Sequence, residues 1–336
     1  MESKGIDRRT VLRGGAYAAA GLAFGGRLFD AAPAYAAQPA ELDLSQGSTN
    51  MFSLKTIKPG RRMESFAFDH KNRKLFAATL RDNNRDIEVV QISTYGNPQG
   101  DPMIVRNAGH GYAFGVEGIG SSSYIWIEHG AEQRSENYWA GTRVARFRYW
   151  HGRDTGSTGE GTLEGTFGGD QSILSGSDNV TCSVDGLFDY GDGKPRLAVR
   201  RQTADGPTRF EVYRLNGVTS APVLEWAQRP NAIDGTVQGW TLYGNVIYCL
   251  TNDFNTENIK LWKLRPQEPK STNYATSLRI QVLGPRNVGN PAGHDPQEAE
   301  GIAVYSASAT EYRTCFGITK GGSSQLNSIF YRPTNF

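Results

Sequence analysis

Five times along the chain, a polar or acidic residue opens a short apolar strand, a turn follows, and a second apolar strand ends in polar residues. The paired segments are residues 63–68 and 74–79, 115–119 and 124–127, 179–184 and 196–199, 237–242 and 246–250, and 299–304 and 312–318. Their register residues, Glu64, Glu117, Thr181, Gln238 and Glu300, stand 53, 64, 57 and 62 positions apart. A unit of that kind cannot bury both faces alone, so successive units must stack, and a period somewhat above the ~50 residues of a kelch-type blade suits four strands with generous loops. Further alternating strands at 87–92, 143–149, 208–215 and 259–264 supply the half-exposed outer positions. The pattern predicts an all-β chain folded as a five-bladed β-propeller.

The first 36 residues stand outside this pattern. Asp7-Arg8-Arg9-Thr10-Val11-Leu12 precedes a small-residue apolar run at 16–24 and then Ala34-Tyr35-Ala36, a small-x-small cleavage site. This reads as a twin-arginine signal over 1–36, with residues 37–336 as a single mature domain that is secreted after folding. No other stretch approaches the ~18 apolar residues of a membrane span, so no integral membrane segment is expected in the mature chain. Without the five basic and three acidic residues of the signal, 31 of each sign remain. A neutral mature protein has no electrostatic footprint for nucleic acid, and a monomer is expected. Cys182, Cys249 and Cys315 each sit in an apolar strand-like run and are expected as small buried hydrophobes.

In a propeller the innermost strands line a central channel, so Glu64, Glu117, Thr181, Gln238 and Glu300 would ring one mouth. Around them would sit the ends of the second strands, including Glu128, Arg200, Arg201 and Asn252. Carboxylates held together in a narrow channel repel unless protonated or bridged by a cation. Glu64, Glu117, Gln238 and Glu300 are therefore candidate metal ligands, suited to Ca²⁺ first and to Mg²⁺ or Mn²⁺ next. The alternative is that these side chains only bond neighbouring blades. His110 and His294 precede Glu117 and Glu300 by seven and six residues, each after a glycine. A histidine pair at the mouth supplies an acid and a base near neutral pH. There is no Gly-x-Ser-x-Gly elbow, and the glycine-rich stretch 152–169 lacks a Walker lysine.

Arg62-Met63-Glu64-Ser65-Phe66-Ala67-Phe68-Asp69, Gly109-His110-Gly111 with Gly115-Val116-Glu117, Gln238-Gly239-Trp240 with Tyr248-Cys249-Leu250-Thr251, and Glu298-Ala299-Glu300-Gly301-Ile302-Ala303-Val304-Tyr305 resemble a five-bladed propeller family. That family includes the central domain of certain phage receptor-binding proteins and the teichoic-acid protein C-like proteins of Gram-positive bacteria. The resemblance spans about residues 48–336 and departs in the third unit, where Val180-Thr181-Cys182 replaces Glu-Gly or Gln-Gly. It implies a partner on the Gram-positive wall, teichoic acid or another wall polymer. The expected function is a secreted phosphodiesterase acting on poly(glycerol phosphate), with Arg200, Arg201, Glu128 and Asn252 placed to hold substrate. A phosphodiester transition state gains negative charge, which the guanidinium groups would meet, and strand alternation turns one of the two arginines outward. The alternatives are a glycoside hydrolase using two of the glutamates, and a non-catalytic wall-binding module with exposed Trp139, Trp150 and Trp240.

Overall fold

Strand pairing follows the five expected units and adds outer strands that the repeat pattern did not contain. The computed structural model describes residues 39, 41–44, 47–156, 179–202, 208–216, 222–228, 235–253, 258–265, 276–283, 297–308, 311–320 and 325–335. After β1 (Thr49–Lys55), the first blade is the antiparallel sheet β2 (Met63–Asp69), β3 (Lys74–Leu80), β4 (Ile87–Ile92) and β5 (Met103–Val105). The second holds β6 (Gly115–Ile119), β7 (Ser122–Ser135) and β8 (Tyr138–Arg148). The third is β9 (Asn179–Asp185), β10 (Arg196–Gln202), β11 (Arg209–Arg214) and β12 (Val223–Gln228). The fourth is β13 (Thr236–Tyr243), β14 (Val246–Asp253), β15 (Asn258–Arg265) and β16 (Thr276–Leu283). The fifth contains β17 (Gln297–Ser306), β18 (Glu311–Lys320) and β19 (Leu326–Asn335), and β1 completes it as the outermost strand. The protein is an all-β, five-bladed β-propeller.

Each blade presents two apolar faces, and five buried clusters fill the five interfaces between neighbours. Phe76 and Ile87 of the first blade meet Ile125 and Phe147 of the second. Trp126 and Val144 meet Val180 and Leu197. Phe210 and Val212 meet Trp240 and Ile247, Leu250 and Leu261 meet Val304 and Phe316, and Cys315 and Ile329 meet Phe66 and Leu75. The last interface closes the circle, and β1 on β19 fastens it by joining the two ends of the fold in one sheet. Asn327 of β19 reinforces the closure, accepting from the Met63 N–H at 2.9 Å and donating to the Lys55 carbonyl at 3.2 Å. Cys182, Cys249 and Cys315 are free and buried. Trp240, expected at the surface, is instead buried and donates to Thr181 Oγ1 at 2.9 Å.

The inner strands of three blades are interrupted at their polar residue. Pairing in β2 shifts between Met63 and Ser65, in β13 between Val237 and Gly239, and in β17 between Ala299 and Ile302. Glu64, Gln238 and Glu300 each therefore sit in a β-bulge, a device that re-aims a side chain out of the regular ladder. Glycine follows two of them because the strands nearly touch. A Cβ on Gly239 would lie 2.6 Å from the Gly301 Cα, and one on Gly301 would lie 2.8 Å from the Ser65 Cα.

Candidate active site at one mouth of the channel

The bulges bring Glu64, Gln238 and Glu300 together with two residues that the sequence analysis left without a role. Arg62 Nε donates to Glu64 Oε1 at 3.0 Å and lies 3.8 Å from Glu300 Oε1, and its Nη1 is ion-paired with Glu298. Gln238 Nε2 donates to the other oxygen of Glu298 at 3.0 Å. Arg62 and Glu298 each stand two residues before a bulge glutamate, a shared offset visible in the sequence.

The first two blades supply the histidine. His110 Nε2 donates to Glu64 Oε2 at 3.3 Å. Its ring packs against both Tyr112 and Tyr138, with centroids 4.3 and 5.4 Å away, and the two tyrosine rings meet each other at 6.2 Å. Its Nδ1 is buried and without a hydrogen-bond partner among the described residues. The Gly109–Gly111 loop that carries it is held from below by Glu128, which accepts the backbone N–H of Gly111 at 2.5 Å and of Gly141 at 2.7 Å. Gly109 is indispensable to that arrangement, since a Cβ there would lie 2.3 Å from Glu128 Oε2 and its φ is +131°. Tyr138 comes from the start of β8, at the tip of the long β7–β8 hairpin.

Electrostatics separates the carboxylates. Burial works against charge on Glu64, yet its hydrogen bond with His110 and the nearby Arg62 hold it below the ordinary carboxylate range. Burial and the neighbouring charge of Glu64 push Glu300 well above that range. Burial raises Glu128 to about 7, against the pull of backbone N–H donors, those of Gly141 and Gly111 first, and of His110. Arg200 is the other charge at the mouth. Burial pulls its pKa down, and its electrostatic neighbours are Cys249, Tyr138, Tyr112 and Glu128. Among the described residues it forms no ion pair, its Nε is buried without a partner, and its one side-chain bond is to Gln202 at 3.3 Å.

Other expected positions lie apart from this group. Glu117 stands two residues before the end of its paired strand at Ile119, whereas Glu64 stands five before Asp69, so Glu117 is nearer the hairpin turn and away from the mouth. It accepts from Trp126 Nε1 at 3.0 Å and from Arg146 at 3.4 Å within the wall between the second and third blades. Arg201 turns to the third strand, β11, 3.4 Å from Glu211, on the opposite side of its strand from Arg200. Asn252 is buried at the end of its paired strand with Oδ1 unpartnered. His294, the second expected histidine, lies outside the described residues, as does the segment 1–36.

The described donors do not fit the expected calcium ion. Glu117 is absent from the group, the amide of Gln238 is committed to Glu298, and a guanidinium occupies the space among Glu64, Glu298 and Glu300. Among the described residues, no group of three or more His, Cys, Asp and Glu has metal-site geometry. No helix is long and apolar enough to cross a membrane among those residues.

No protein-family profile matches the chain. A stretch of 89 residues, 25% of this chain and 20% of its counterpart, is 26% identical to the teichoic acid biosynthesis protein C of Bacillus subtilis (strain 168). Among solved structures, the chain is similar to the tail fibre of Staphylococcus aureus phage P68, with a TM-score of 0.59 and 14% identity over 88% of this chain and 54% of the fibre chain. An α-L-arabinofuranosidase from Lactobacillus brevis aligns over 85% of this chain and 92% of its own, at 8% identity and a TM-score of 0.44. The match thus spans about a fifth of the Bacillus protein and about half of the fibre chain. At 14% identity the likeness to the tail fibre bears on the fold alone and leaves the chemistry to the site itself.

Proposed function

We propose that the protein is a secreted wall-polymer hydrolase that cleaves the phosphodiester backbone of a teichoic acid at this mouth. The observation that carries the reading is Arg200, a half-buried guanidinium without an acidic partner among the described residues, whose electrostatic neighbours Tyr112 and Tyr138 also flank His110, a histidine with one nitrogen facing a carboxylate and the other unengaged. A half-buried cation with no carboxylate beside it is free to meet an anion, and a phosphodiester provides one. With Glu64 ionised, Nε2 of His110 carries the proton and Nδ1 is the base. Nδ1 takes a proton from the attacking hydroxyl as the new phosphorus–oxygen bond forms. The imidazolium then returns that proton to the departing glycerol alkoxide as the old bond breaks. Arg200 balances the charge that builds on the non-bridging oxygens. The local likeness to a teichoic acid protein supports the substrate class.

A second reading has its own observation. Glu64 and Glu300 are shifted in opposite directions, the split that assigns base and acid roles in carboxylate-based glycoside hydrolysis. Purified poly(glycerol phosphate) and a phosphate-free wall glycan, each followed by mass spectrometry of released products, separate the two. The phosphodiesterase reading expects glycerol phosphate from the first substrate only, and a drop of ~10²-fold or more in His110→Ala with an unchanged Tm. Wild-type turnover in that variant would sink it. Polymer binding without any product would move the protein to the class of wall-binding modules.

A further inference from the structure

Acidic side chains gathered at a propeller mouth need a compensating charge, and the sequence pointed to a divalent ion for that purpose. The geometry offers another source. Among the described residues, Arg62 is the one that touches all three carboxylates of the cluster: Glu64 at 3.0 Å, Glu300 at 3.8 Å, and Glu298 through Nη1. The Glu64 and Glu300 side chains are 2% exposed, so water does little to screen them. A guanidinium is always charged and presents a planar fork of donors that matches carboxylates directionally. A calcium ion would instead require six to eight oxygens at roughly 2.3–2.6 Å, converging on the space that the guanidinium fills. Arg62 also links two blades, since Glu64 belongs to β2 and Glu298 and Glu300 to β17.

We infer that Arg62 is the resident cation of the acidic mouth, standing where a divalent metal was expected, and that it positions Glu64 against His110. The guanidinium bonds one oxygen of Glu64 and leaves the other for His110, so that the carboxylate is clamped between them. Its consequence for turnover rests on the phosphodiesterase reading, whereas its consequence for metal binding does not. Removing the guanidinium would leave three carboxylates facing one another around a vacated space, which a hard cation would then fill.

The experiment compares thermal unfolding of wild type, Arg62→Gln and Arg62→Lys in EDTA and in millimolar calcium, alongside glycerol phosphate release. Wild type should unfold at the same temperature in both media and turn over equally in both. Arg62→Gln should gain a calcium-dependent rise in Tm, which adding Glu300→Gln removes. In EDTA its turnover should fall roughly 10²-fold, the scale of a misplaced reacting group. Arg62→Lys should recover roughly tenfold of that loss, because it restores the charge without the fork. A calcium-dependent Tm in wild type that Glu300→Gln abolishes would overturn the inference. A flat calcium response in Arg62→Gln as well as in wild type would equally overturn it, since the carboxylates would then need no cation. If no protein releases product but the calcium responses follow the expected pattern, the phosphodiesterase reading fails while the resident cation stands.

Discussion

Glu128 should make the stability of this propeller fall as the solution passes from mildly acidic to neutral pH. The side chain is 1% exposed, and burial raises its pKa from an ordinary 4.5 to about 7. A carboxyl raised on folding binds its proton more tightly in the native state, so its contribution is complete below 4.5 and is lost as pH rises through 7. At about 1.4 kcal/mol for each pH unit, the displacement from 4.5 to about 7 corresponds to about 3 kcal/mol. The perturbation is Glu128→Gln, which cannot ionise; because the Gly111 and Gly141 N–H groups bond different oxygens of Glu128, the amide keeps an acceptor for one of them and its loss at the other is a pH-independent offset. Urea unfolding at pH 4.5, 5.5, 6.5, 7.5 and 8.5 gives the free energy of each protein, and taking the difference removes every group they share. That difference should move against wild type by about 3 kcal/mol across the series, most of it between the unfolded value of 4.5 and the folded value of about 7, with its midpoint at about pH 6. Curves that stay parallel within about 1 kcal/mol would refute the reasoning, by showing that the two backbone donors offset the burial of the charge completely. Because the same carboxyl carries the Gly109–Gly111 loop, the series also reports whether His110 loses its support on ionisation.

Two further substitutions test the fold and the anion site. Gly301→Ala combines a φ of +78° with a Cβ 2.8 Å from the Ser65 Cα, and should cost about 2–4 kcal/mol in urea unfolding. Gly120→Ala, with a φ of +60° and open space around it, should cost only about 1 kcal/mol, and equal losses would contradict the close approach of the inner strands. Arg200→Met removes a half-buried guanidinium that has no ion pair among the described residues, so its Tm should stay close to that of wild type. The same variant should raise KM for poly(glycerol phosphate) roughly tenfold or more and weaken its dependence on salt; an unchanged KM would remove Arg200 from the substrate site.

The architecture could be anticipated because strand alternation and turn residues are local, and five repeats of a local pattern leave few ways to bury their faces. The same alternation separates Arg200 from Arg201 once β10 is in register with β9. Glu117 shows where the pattern stops short. It shares the Glu-Gly-Ile motif with Glu300, yet its strand has no bulge and its hairpin turn comes three residues sooner than after Glu64. A one-residue difference in pairing turns a side chain to the other face of its sheet, and nothing within the strand itself announces which register the partner will impose.

By itself, then, the sequence determined the class of fold, the number of blades, the inner strands and most of the residue types that meet at the mouth. Tertiary structure alone decided that β1 fastens the fifth blade, that Arg62 stands among Glu64, Glu298 and Glu300, and that Glu128 supports the His110 loop from below. These contacts join residues as far apart as Arg62 and Glu298, 236 positions distant, and exist only when the ring is closed. Their strength also depends on burial: the same carboxyl in water and inside the channel mouth differs in pKa because the medium has changed, and the medium is a property of the whole assembled propeller.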